Sequence, residues 1–323
     1  LGNAHCMPRH LLVGFSSLLF VTTASAFSVK MVSFSPLGKP AESFTSTQGH
    51  KLALRRWEPS GTAKAKVVLQ HGGGFHSGYF GQVGDELSGA GYEVLAMDAM
   101  GHGHSEGPGG LTYWSTITHV QDDVAKLLSE EKKKAPVPII LLGESMGALI
   151  TAPLVARENS NIDGAVFCGS LFDFAKETAP PAPLVFLLQI LGKLLPAQKV
   201  SLSSLDETFD SAFGDQRWAD AARADPLIAT DSFFLGSFSE IVSNKGDNIA
   251  WAKATKCPML LMHSKQDTRT DCAAAISFFD AAPSEDKELK LYDDASHQLF
   301  QDSEQNNQRA IADLRAWLEA RFP

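Results

Sequence analysis

The chain has 323 residues, 44% apolar and 20% charged, with a formal net charge of −9. Those values suit a water-soluble globular protein of one large domain or two small ones. The acidic balance argues against nucleic acid. The longest basic run, Lys132-Lys133-Lys134, follows Glu130-Glu131 at an expected helix end, where cations suit the dipole.

In chain order, Leu1 to Cys6 precede the first methionine, Met7, and are expected to lie outside the translated protein. Pro8-Arg9-His10 is a basic start, Leu11 to Thr23 is apolar, and Ala24-Ser25-Ala26 is an A-x-A cleavage site. A secretory signal peptide over about residues 7–26 is expected. Phe27 to Lys39 carries Lys30, Lys39 and serines but no acid, the composition of a transit segment. Ala24-Ser25-Ala26-Phe27 resembles the bipartite plastid-targeting signal of algae with secondary plastids. The extension is taken to run to about residue 40. Beyond Cys6, the three cysteines Cys168, Cys257 and Cys272 are odd in number and lack paired spacing. No disulfide framework is expected, and free thiols fit a reducing stroma or cytosol.

Glu42 to Pro59 reads as a polar hairpin turning at Gln48-Gly49-His50. Val67 to Gln70 is a short strand that ends in His71-Gly72-Gly73-Gly74, and a helix is expected from about Tyr79 to Ser88. Tyr92 to Asp98 is the next strand. Val120, Val124, Leu127 and Leu128 fall at helical spacing within Thr116 to Lys134. Val137 to Leu142, Gly164 to Cys168, Pro258 to His263 and Leu289 to Tyr292 are further strands, and Ile311, Leu314, Trp317 and Leu318 mark a C-terminal helix. Strands alternating with helices predict a mostly parallel sheet covered on both faces, with sites in the loops at the strand C-terminal ends. Between Ser170 and about Asn248 the alternation stops. The apolar run Leu184 to Leu195 in that stretch is too short to span a bilayer. It suits either a buried core helix or a cap helix partly facing lipid, and its place between two strands of the sheet favours a cap.

Gly143-Glu144-Ser145-Met146-Gly147 falls at the junction of the Val137–Leu142 strand and the following helical segment. That is the context of a nucleophile elbow, a turn so tight that its flanking positions need glycine. A serine nucleophile requires a base, and the base an orienting acid, in the chain order serine, acid, histidine. Asp267 follows a late strand, and His297 is the only histidine beyond it. Asp271, Asp293 and Asp294 are rival acids. Asp271 is expected to cap a helix, and the other two lie too near His297 to come from a separate strand. The N–H groups of Met146 and Gly73 are the expected oxyanion donors. No P-loop lysine or dinucleotide spacing follows the glycines, so a phosphate cradle is not expected there. His71, His76, His102 and His104 lack H-E-x-x-H or a cysteine pair, and they are expected to shape loops and not to bind metal. Glu144 is expected to point off the site and hold the elbow.

His71-Gly72-Gly73-Gly74-Phe75-His76-Ser77-Gly78-Tyr79, Asp98-Ala99-Met100-Gly101-His102-Gly103-His104-Ser105-Glu106-Gly107 and Leu142-Gly143-Glu144-Ser145-Met146-Gly147 resemble the monoacylglycerol lipase family of α/β-hydrolases, also labelled lysophospholipase or serine aminopeptidase-like. Asp225-Pro226-Leu227-Ile228, Cys257-Pro258-Met259-Leu260-Leu261 and Lys287-Glu288-Leu289-Lys290-Leu291-Tyr292 are similar too. The resemblance covers about residues 45–320. It implies an α/β-hydrolase domain over 41–323 with a cap at about 170–248, a Ser145, Asp267, His297 triad, an oxyanion hole of Gly73 and Met146, and no cofactor. The expected activity is hydrolysis of monoacylglycerol or lysolipid through an acyl-enzyme, with the cap touching lipid. Two positions depart from the family pattern. Ser264 stands where glycine is usual, three residues before the acid. Glu144 precedes the nucleophile as in plant-type members, which include esterases of phenolic esters such as caffeoyl shikimate. Phenolic or other small esters are therefore an alternative substrate. A non-catalytic lipid or small-molecule binder and an acyltransferase complete the alternatives.

Overall fold

Eight strands hydrogen-bond into one sheet in the computed structural model, which describes residues 34–157, 161–176, 179–201, 209–229 and 232–323. The expected signal peptide, and the transit-like stretch as far as residue 33, lie outside the described residues. The strands are β1 (Glu42–Thr45), β2 (Lys51–Trp57), β3 (Lys66–Gln70), β4 (Glu93–Met97), β5 (Ile139–Glu144), β6 (Gly164–Cys168), β9 (Met259–Ser264) and β10 (Lys287–Tyr292). Their order across the sheet is β1-β2-β4-β3-β5-β6-β9-β10. β2 runs antiparallel to both neighbours, and the rest from β4 to β10 are parallel. β7 (Lys199–Ser201) and β8 (Ser232–Phe234) form a separate antiparallel pair.

Helices cover both faces, which is why the central strands are continuous apolar runs and do not alternate. α2 (Ile117–Lys134), α3 (Met146–Arg157), α7 (Asn248–Ala254) and α8 (Cys272–Ala281) bury one face, with Val120, Val124, Leu141, Leu149 and Phe278 in that core. α1 (Gly81–Gly89) and α9 (Glu304–Arg321) bury the other, with Val83, Leu87, Leu142, Leu314 and Trp317. The expected helix from Tyr79 begins instead as a 3-10 turn at Ser77–Phe80, and α1 follows at Gly81. Thr116 caps α2 by accepting the Thr118 N–H, and Asp271 caps α8 by accepting the Ala273 N–H.

The insertion between β6 and β9 carries α4 (Ala182–Leu194), α5 (Gln216–Ala224) and α6 (Leu235–Asn244). α4 is a surface helix, which corrects the buried-core alternative: Phe186 is 65% exposed, Leu187 50% and Leu194 70%. It packs on α6 through Gly192, where a Cβ would lie 2.4 Å from Leu235 O. α5 joins a third apolar cluster, in which Trp218, Phe209 and Phe213 pack against Phe75 and Tyr79 of the loop after β3. Chain ahead of residue 41 already belongs to this domain. The Leu37 N–H donates to Gly78 O at 3.0 Å, and the Phe34 ring lies 5.5 Å from Trp218.

Candidate active site

The turn from β5 into α3 is built by exclusion of side chains. A Cβ on Gly147 would meet Gln70 O at 2.1 Å, and one on Gly143 would meet Thr151 Oγ1 at 2.3 Å. Only glycine fits either place. Between them Ser145 adopts φ +54°, a left-handed conformation that a side chain normally avoids. Its N–H donates to Cys168 O at 2.9 Å and its carbonyl accepts from Leu171 N at 3.1 Å, so the strained residue is tied to the chain leaving β6.

Three residues from three different loops meet at this turn. His297 Nε2 lies 3.0 Å from Ser145 Oγ, and His297 Nδ1 lies 2.7 Å from Asp267 Oδ2. The Asp267 carboxyl is fully buried. Burial opposes its charge, but His297, His263 and the Thr270 N–H outweigh that and hold its pKa well below the ordinary carboxylate range. The Arg269 and Thr270 N–H groups donate to Asp267 Oδ1 at 2.7 and 2.9 Å, and the Thr270 hydroxyl donates to Oδ2 at 2.7 Å. Asp271 points elsewhere, to the N-terminus of α8. Lys265 holds Asp293 and Arg309 holds Asp294 at the surface.

On the other side of Ser145 runs the loop after β3. A Cβ on Gly72 would lie 3.0 Å from Ser145 Cβ, and one on Gly73 would lie 3.3 Å from Met146 Sδ. The Gly73 backbone therefore borders Met146, the first residue of α3. Three of the four histidines of this region, His71, His76 and His102, place a ring nitrogen against a neighbour, and His104 contributes its backbone N–H. Ala99 N donates to His71 Nε2 at 2.9 Å, and His76 Nε2 lies 2.9 Å from Asp225 Oδ2, just after α5 in the insertion. Asp98 accepts from Ser77 N and His104 N at 2.7 and 2.9 Å, joining two loops. Burial pushes His102 down to about 3, so it stays neutral.

Glu144 faces the α1 and α9 side of the sheet with Ile140 and Leu142. It is buried, one carboxyl oxygen has no partner among the described residues, and burial pushes its pKa up to about 8. Ser264, at the position where glycine was expected, has a use for its side chain. The hydroxyl donates to Ala295 O and accepts from Gln266 N at 3.0 Å, which stitches the Asp267 loop to the His297 loop. Sequence reasoning singled out Ser264 only as a departure from the family pattern, and it missed His263 and Thr270 as parts of the site. Only their closeness to Asp267 along the chain hinted at it.

Human monoglyceride lipase is 29% identical over 278 residues, covering 85% of this chain and 89% of that protein. Caffeoylshikimate esterase of Arabidopsis thaliana is 25% identical over 288 residues, covering 86% and 85%. Among solved structures, a soluble variant of monoglyceride lipase from Saccharomyces cerevisiae in complex with a substrate analog superposes with a TM-score of 0.79 at 21% identity, over 91% of this chain and 98% of that one. The sheet order and these neighbours make the fold that of an α/β-hydrolase. The family described as Serine aminopeptidase, S33 (Hydrolase_4) matches residues 61–304, well over half of the sequence, and the chain belongs to that family.

Proposed function

We propose that the protein is a serine ester hydrolase acting on monoacylglycerol or a lysolipid. The observation that carries this reading is the hydrogen-bonded series Ser145, His297, Asp267 at a left-handed elbow. His297 Nε2 takes the Ser145 proton as Oγ attacks the ester carbonyl, and Asp267 stabilises the imidazolium that forms. The N–H groups of Met146 and Gly73 receive the oxyanion. The alcohol leaves with the proton from His297, and water then cleaves the acyl-enzyme by the same route in reverse roles.

The lipid substrate is supported by the relatives named monoglyceride lipase and by α4, whose exposed Phe186, Leu187, Ile190 and Leu194 form an apolar face. Such a face suits shallow contact with a lipid surface, from which a single-chain ester enters. A second reading, hydrolysis of a phenolic ester, is favoured by the caffeoylshikimate esterase relative.

The test is hydrolysis of a panel holding monoacylglycerols of graded chain length, a lysophospholipid and a caffeoyl ester, with Ser145→Ala as control. Cleavage of long-chain monoacylglycerol or lysophospholipid is expected. Ser145→Ala should lower it by roughly four orders of magnitude or more with an unchanged Tm. Preference for the caffeoyl ester would move the substrate to the phenolic class. Full activity in Ser145→Ala would overturn the mechanism.

A further inference from the structure

Asp267 lies between two imidazoles, only one of which the proposed mechanism uses. His263, fully buried at the end of β9, places Nε2 at 3.4 Å from Asp267 Oδ2 and 3.5 Å from Thr270 Oγ1. Its Nδ1 is buried and has no hydrogen-bond partner among the described residues. Thr270 Oγ1 stands at the centre of the group. It lies 2.7 Å from Asp267 Oδ2, 3.2 Å from Gly169 O and 3.4 Å from His297 Nδ1.

Counting protons decides what this arrangement does. The Thr270 hydroxyl has one proton and two competing acceptors, the Asp267 carboxylate and the Gly169 carbonyl. Neutral His263 carries one N–H. A proton on Nε2 faces both Asp267 Oδ2 at 3.4 Å and Thr270 Oγ1 at 3.5 Å, and the threonine oxygen is open to share it because the threonine's own proton goes to Asp267. A proton on Nδ1 would find no partner, and an unsatisfied buried donor is costly. Burial holds His263 below its ordinary pKa, which keeps it in the neutral form that the scheme needs.

We infer that His263 and Thr270 are positioning residues that form a fixed donor chain, His263 Nε2–H to Thr270 Oγ–H to Asp267 Oδ2, and that this chain sets the basicity of His297. The inference rests on the triad proposed above. With the chain intact, Asp267 shares its charge among four hydrogen bonds and pulls less on the imidazolium. Losing the threonine proton concentrates negative charge on Oδ2, raises the pKa of His297, and moves the acid limb of activity to higher pH.

The charged and titratable groups facing the chain are His297, Arg269, Asp271, Cys168 and Cys272. Both thiols are pushed up by burial and stay neutral where the enzyme works, and Arg269 stays a cation. The variants below alter none of these groups, so a shifted limb reports on the chain.

The experiment measures kcat/KM for a soluble short-chain ester from pH 5 to 9, and in parallel the rate of fluorophosphonate labelling. The proteins are wild type, Thr270→Val, Thr270→Ser, His263→Phe, His263→Gln and Asp267→Asn. Thr270→Val should raise the midpoint of the acid limb by about one pH unit, the scale of a single hydrogen bond to a carboxylate. Thr270→Ser, which keeps the hydroxyl, should return it to the wild-type value. His263→Phe should shift the limb the same way by less, because the freed threonine proton divides its time with Gly169 O. His263→Gln, which retains an N–H donor, should recover part of that shift. Equal loss of rate in Thr270→Val and Thr270→Ser with an unmoved limb would mean a packing role and overturn the inference. An unmoved limb in Thr270→Val with full rate would overturn it as well. Failure of the triad itself reads differently: Asp267→Asn would then match wild type in both assays.

Discussion

At the residue scale the site is organised by groups that are costly to bury. Ser145 holds a left-handed backbone only because Gly143 and Gly147 let β5, β3 and α3 close around it. Asp267 keeps its charge inside the protein because four donors surround it. Glu144, one residue from the nucleophile, has a carboxyl oxygen with no donor among the described residues and resolves the cost in the opposite way, by holding a proton up to about pH 8. The sign of its effect on stability follows. Between its ordinary value of 4.5 and about 8, the folded state keeps a proton that the unfolded chain releases. Stability therefore falls as pH rises through that window and levels off above it. Glu144→Gln stays neutral throughout. Its Tm relative to wild type should climb from pH 5 to pH 8 and then hold constant, as read by calorimetry at several pH values. A pH-independent Tm difference would mean that Glu144 is ionised in the folded protein.

At the scale of elements, α4 and α5 divide the insertion between two tasks. α5 packs Trp218 into one cluster with Phe75 and Tyr79, and Asp225 just beyond it meets His76, so this half braces the loop that carries Gly73. α4 touches the body mainly through α6 and turns its apolar side outward. Replacing Phe186 and Leu187 together by serine should leave Tm within about 2 °C of wild type, since both side chains are exposed and surface changes are usually small. The same variant should lose roughly tenfold in rate on long-chain monoacylglycerol in vesicles and little on a soluble ester. Equal loss on both would place the effect in the chemistry and not in lipid contact. The sheet strands and α2 were legible because burial of both sheet faces and an amphipathic stripe each leave a periodic trace. Ser145, Asp267 and His297 were legible through their order and their strand ends. The exposed setting of α4 was not, because an apolar helix looks alike whether it meets a core or a lipid surface. Thr270 and His263 were hidden for another reason: their convergence on Asp267 depends on a loop that folds back to bridge Phe174 to Thr270, and no local pattern encodes that.

On the scale of the whole molecule, the chemistry and a buried charge network sit at opposite ends of the sheet. The triad loops leave the C-terminal ends of the parallel strands. At the other end, Lys66 opens β3 almost wholly buried, with Nζ 2.5 Å from Glu131 Oε2, and Arg56 reaches Glu131 Oε1 at 3.0 Å. Glu93, which opens β4, also pairs with Arg56. Burial opposes the charge on Glu131, but hydrogen bonds from Arg56, Lys134 and Lys66 draw its pKa down to about 2. Its stabilising contribution is thus complete above its ordinary value of 4.5 and is lost as pH falls toward about 2. Removing only the acid takes away the nearer carboxylate of buried Lys66 and leaves it with Glu93 Oε2 at 3.5 Å, a break that costs up to about 3–5 kcal/mol, whereas replacing the pair with apolar side chains is often near neutral. Glu131→Leu should therefore lower the urea unfolding free energy by that amount, and Lys66→Met with Glu131→Leu should recover most of it. Because the network lies across the sheet from Ser145, kcat on a soluble ester should stay within about twofold of wild type in both variants below their melting temperatures, as expected for distant sites without shared partners. A fall in kcat without a fall in stability would show that the two ends of the sheet are coupled after all.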